Sequence, residues 1–176
     1  MKKVIALVSM LALTGGVLGQ GTVSFYNAGG EVTTAAGDLA GSAYLGQLFA
    51  GPAGSDEGSL TAMGTPQPFI DGSGIIFAGE VLITGIGAGA NAAIQLRAWA
   101  AASGAGWDDA IANPAGEFGK SNISDNHPTG NPTSSPPGTP VNLAGIQPFQ
   151  LAVVPEPGTW ALLALGLGAL ALRRRK

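Results

Sequence analysis

His127 is the only histidine in a 176-residue chain that contains no cysteine, so residues able to do acid–base or nucleophilic chemistry are few. It lies in Ser124-Asp125-Asn126-His127-Pro128. A triad or metal centre built on it would draw its partners from elsewhere in the fold. The Pro-rich polar setting predicts a solvated ring. The adjacent acids Asp56-Glu57 and Asp108-Asp109 are of the type that hydrolyses glycosides in pairs. Neighbours on a strand face opposite ways, so neither pair is a facing couple, and both read as solvated acids at a turn and at a helix start. Hard oxygen ligands suit calcium, but no DxDxDG-type loop is present, so calcium is an expectation from composition alone. The lack of cysteine excludes thiolate catalysis and cysteine-ligated zinc. No catalytic or metal-ligating residue is assigned. Gly85-Ile86-Gly87-Ala88-Gly89 lacks the lysine and helix of a phosphate-binding loop and reads as a turn or bulge. Asn122-Ile123-Ser124 fits a glycosylation triplet by pattern only. Trp99, Trp107 and Tyr44 suit either a sugar-stacking platform or core filling.

The elements that must hold these residues read as short strands broken by glycine-rich turns. Val23 and Phe25 alternate with Ser24 and Tyr26 over Thr22–Tyr26; Glu80–Thr84 is a β-branched run; Ile94, Leu96 and Ala98 alternate with Gln95, Arg97 and Trp99. Ser42–Ala50, Gly74–Phe77 and Pro148–Val153 are further candidates, and Trp107–Ala112, with acids in its first turn, is the one expected helix. Residues 125–140 are rich in Pro, Gly, Ser and Thr and predict a long exposed loop. The fold class expected is mainly β, a single β-sandwich-like domain over residues 20–153.

Both ends have the composition of targeting segments. Met1-Lys2-Lys3 precedes the apolar run Val4–Leu13 and a glycine cluster ending at Gly19, the layout of a signal peptide read by the secretion machinery, with cleavage expected between Gly19 and Gln20. Near the other end, Trp160–Leu172 carries no charge and stops at Arg173, Arg174, Arg175 and Lys176. As a helix it would span about 20 Å, against about 30 Å of hydrocarbon. It has no polar face, so it suits a single, marginal transmembrane helix, with Trp160 at the interface and the four cations held on the cytoplasmic side. Before it, Pro155-Glu156-Pro157 pushes Val154 and Glu156 toward extended geometry.

In the ordered combination of Pro155-Glu156-Pro157, short apolar helix and basic cluster, the chain resembles the PEP-CTERM proteins. That resemblance implies export in a Gram-negative bacterium and anchoring in the inner membrane through the tail. It implies recognition and cleavage near Pro155–Pro157 by an exosortase, a membrane processing enzyme, and transfer to the cell surface or extracellular matrix. Gln20–Asn27, Ala43–Pro52, Arg97-Ala98-Trp99 and Gly119–Asn122 look like blocks recurring in a subgroup of such proteins, and they imply no particular activity.

Of eight Lys and Arg residues only Arg97 and Lys120 lie outside the two ends, whereas all eleven acids fall between Gln20 and Glu156, a stretch of net charge −9. Such a face does not bind nucleic acid. The expected function is that of an exported surface or matrix protein, structural or interacting rather than enzymatic and without a cofactor. A carbohydrate-binding module meeting extracellular polysaccharide through an exposed Trp99 is the alternative, and a hydrolase with an Asp/Glu pair the second.

Overall fold

The computed structural model describes residues 19–153; the expected signal segment, the Pro-Glu-Pro tripeptide and the tail helix lie outside them. The described chain is mainly β, and its sheets do not close into a barrel. β1 (Gln20–Tyr26) pairs antiparallel with β5 (Phe77–Gly87) and parallel with β9 (Val141–Asn142), forming sheet one. Sheet two runs β11 (Ala152–Val153), β7 (Glu117–Lys120), β6 (Asn91–Ala100), β3 (Tyr44–Pro52) and β4 (Thr61–Pro68), with β8 (Ser124–Pro128) also paired to β6. A small ladder joins β2 (Val32–Thr33) to β10 (Phe149–Gln150).

Alternation accounts for the core. Leu48 and Ala50 of β3 and Ile94, Leu96 and Ala98 of β6 pack against Val23, Phe25 and Ile83 of sheet one in a single cluster. On the opposite face of sheet two, Gln47, Phe49, Gln95, Arg97 and Trp99 are also buried, because a third layer covers them. That layer includes the helix α1 (Trp107–Ala112), whose Trp107 packs on the Phe49, Leu60 and Ala93 cluster. β6 is therefore buried on both sides although half its residues alternate as a solvated strand would.

Four strand expectations, Thr22–Tyr26, Ser42–Ala50, Glu80–Thr84 and Ala93–Trp99, fall on β1, β3, β5 and β6, and the helix at Trp107–Ala112 is present. Three expectations are corrected. Gly74–Phe77 is not a strand, because Gly72 and Gly74 both adopt left-handed backbone (φ +66 for each) and only Phe77 belongs to β5. Pro148–Val153 splits into β10 and β11, which join different sheets on either side of buried Leu151. Residues 125–140 begin within β8, and His127, Thr129 and Gly130 are buried, so only the later part forms an exposed loop. The Gly85–Gly89 series is a bulge and turn, as expected: Gln20 faces Gly87 while Gly21 faces Ile83, and Ala90 N–H donates to Gly87 O at 3.0 Å.

Asn27, fully buried at the end of β1, fixes the connection before β5. Its Nδ2 donates to Gly30 O (2.8 Å) and Gly74 O (3.2 Å), and its Oδ1 accepts from Ile76 N–H (2.7 Å). Asn27→Ala leaves three buried backbone groups without these partners. Urea unfolding is expected to show a loss of about 2–4 kcal/mol, an exposed-site substitution a loss near zero.

Candidate functional site

Arg97 is the centre of a buried polar cluster. Its place on the outer face of sheet two follows from the β6 alternation, and α1 closes over it. The guanidinium carbon stands 4.0 Å from the Phe49 ring centre and 5.3 Å from that of Trp107. Nε donates to Gln95 Oε1 at 2.9 Å and Nη2 to the Glu57 carbonyl at 3.2 Å. The Glu57 carboxylate accepts from Lys120 Nζ at 2.6 and 2.8 Å and lies 3.9 Å from Arg97 Nη2. Burial pushes the Arg97 pKa down, opposed by the charges of Glu57 and Asp108; a guanidinium nevertheless stays charged at neutral pH. Trp107 meets Trp99 and Phe118 edge to face at 6.2 and 5.6 Å, and Trp99 Nε1 donates to Gly104 O at 3.0 Å. Gln95 Nε2 donates to Ser121 O at 3.0 Å, and Leu96 N–H donates to Ser121 Oγ at 3.0 Å.

Three stretches quoted above on resemblance, Ala43–Pro52, Arg97-Ala98-Trp99 and Gly119–Asn122, thus meet in one cluster. A cation packed against aromatic rings, with one donor on Gln95 and another on a backbone carbonyl, is a fastening of layer to sheet. The sugar platform suggested by Trp99, Trp107 and Tyr44 is corrected: Trp99 is buried beneath Trp107, and Tyr44 turns its hydroxyl to Glu117.

Several of the acids hold structural partners. Asp56 caps the short 3-10 turn Glu57–Ser59 by accepting from Ser59 N–H at 3.1 Å, and Asp108 and Asp109 are exposed at the start of α1. Asp71 accepts from Ser42 N–H at 2.7 Å, and hydrogen bonding from Ser42 lowers its pKa. Glu117 accepts from Tyr44 Oη at 2.9 Å and from Ala35 N–H. Partial burial first, and then this bond, raise the Tyr44 pKa above its ordinary value of 10.0. Tyr44 therefore adds stability that is complete below that value and is lost as pH rises through the raised one. Tyr44→Phe should flatten the fall in stability measured above pH 10.

His127 is 1 % exposed, which corrects the solvated ring expected of it. Nε2 lies 2.7 Å from Asn142 O and 3.3 Å from Ala144 N; the shorter contact makes Nε2–H the donor. The ring thus ties β8 of sheet two to β9 of sheet one. Among the described residues no three of His, Asp and Glu converge as metal ligands. An open groove of about 380 Å³ lies between β4 and β5, lined by Gly64, Thr65 and Gln67 on one side and by Glu80, Val81 and Leu82 on the other. Glu80 is the one carboxylate among its lining residues, where glycoside hydrolysis uses two.

Of the expected processing residues, Gly19 and Gln20 are described. Gln20 opens β1 opposite Gly87, and Gly19 O accepts from Ala88 N–H at 2.7 Å. Pro155, Glu156, Pro157, Trp160, Arg173, Arg174, Arg175 and Lys176 lie outside the described residues. Among the described residues no helix is long and apolar enough to cross a membrane.

The family model described as the PEP-CTERM protein-sorting motif matches residues 153–176. No curated protein and no solved structure matches the chain. The chain carries this motif, the mark of an exported protein sorted through the membrane and recognised by an exosortase.

Proposed function

We propose that the chain is an exported, non-enzymatic structural or interaction protein, delivered to the cell surface or extracellular matrix after loss of both ends. A signal peptide ending at Gly19 starts export. The tail helix then holds the chain in the inner membrane, and an exosortase cuts near Pro155–Pro157.

The observation that carries this reading is the junction. Leu151, the last fully buried core residue among the described residues, is followed by β11, whose final residue, Val153, pairs with Glu117 and is also the first residue of the sorting motif. The last described strand of the body thus meets the first residue of the motif, and a proline biases the residue before it toward extended backbone. The bonded Asp56, Glu57, Asp71 and Glu117 and the packed Arg97 favour a body whose side chains build structure, and the reading requires no cofactor.

Fractionation of producing cells tests it. The full chain should collect at the surface or in the medium, and a chain truncated after Val153 should stay in the periplasm. Equal distribution of the two would overturn the proposal.

A further inference from the structure

Sheet one ends on an open edge. Among the described residues β5 pairs only with β1, and its other side faces the groove beside β4. The other edges among the described residues are shorter or lack donors: β2, β9, β10 and β11 are two residues long, β8 is five and ends at Pro128, and β4 carries Pro66 and Pro68, which lack N–H groups. β5 spans eleven residues, and its solvent face carries Phe77, 67 % exposed, and Leu82, 51 % exposed.

The central residues of β5, though not its ends, also resemble themselves in reverse about the midpoint, Leu82. Gly79 mirrors Gly85, Glu80 mirrors Thr84 and Val81 mirrors Ile83. The two glycines share left-handed backbone, φ +77 and +81, so the match extends to backbone shape. We propose that the occupant of this edge is β5 of a second copy of the chain, antiparallel and centred on Leu82, so that both sheets one join into a continuous sheet. Leu82 then meets Leu82 of the other copy across the two-fold axis, and each kink faces a kink. Each Glu80 faces the hydroxyl of Thr84, and the two Glu80 carboxylates stand about 14 Å apart along the strands, beyond the screening length of about 8 Å at physiological salt. β5 carries no other charge, which lets two acidic bodies meet here. The association is independent of where the chain is sorted.

The absence of cysteine makes the register directly measurable. Opposed residues on antiparallel strands have Cα atoms about 4.5–5.5 Å apart, within the disulfide range. Under mild oxidation of the full chain in detergent, Leu82→Cys should cross-link to itself. Glu80→Cys alone should not, and Glu80→Cys mixed with Thr84→Cys should. The unsubstituted chain should sediment as a dimer. A monomer with no Leu82→Cys cross-link overturns the proposal, as does equal self-cross-linking of Leu82→Cys and Glu80→Cys, which would mark contact through the tail or another face.

Discussion

Trp99→Ala is expected to destabilise the body by about 3–5 kcal/mol, the range for removing a large buried aromatic side chain. Trp99 is fully buried, donates to Gly104 O at 3.0 Å and touches Trp107 edge to face. Its loss opens a cavity between sheet two and the α1 layer and frees the ring that lies over Arg97. For a body of this size the midpoint of thermal unfolding should fall by about 10–20 °C. Ile70→Ala, at a side chain 54 % exposed, should move it little. If Trp99 instead served as an exposed ligand platform, its removal would change binding and leave the midpoint in place.

The other large effect concerns processing. Replacing Pro155, Glu156 and Pro157 together by alanine should abolish removal of the tail, leaving the chain with its apolar helix in the membrane fraction. The family match covers these positions. Each proline fixes φ and biases the residue before it toward extended backbone, the shape a processing cleft accepts. Alanine lets the apolar helix propagate back toward β11. The folded body should be unaffected, since the core residues found among the described residues all precede the tripeptide. Wild-type release from the triple variant would separate the tripeptide from sorting.

Strands β1 and β6 were legible in the sequence because their apolar residues alternate, and β3 and the middle of β5 because short apolar runs are bounded by turns. β4 was not: Gly64, Pro66 and Pro68 argue against a strand, yet prolines are tolerated on an edge, which β4 is. The third layer escaped for a different reason. Gln95, Arg97 and Trp99 read as a solvated face because alternation records which side a residue takes and not what later covers it. The contact between Glu57 and Lys120 joins positions 63 residues apart, and no spacing rule reaches that far. His127 misled through its company: Pro132, Pro136, Pro137 and Pro140 belong to a loop, whereas the ring itself lies on β8 and bonds to β9. The sorting motif was legible, since its signal lies in the order of residues along the chain rather than in a fold.

The intact mass of the protein recovered from cells and medium tests the central claim most directly. The predicted species begins at Gln20 and ends within Pro155–Pro157, without the apolar helix and without Arg173–Lys176. A recovered species that retains those four cations would contradict removal of the tail and leave the protein a membrane-anchored one.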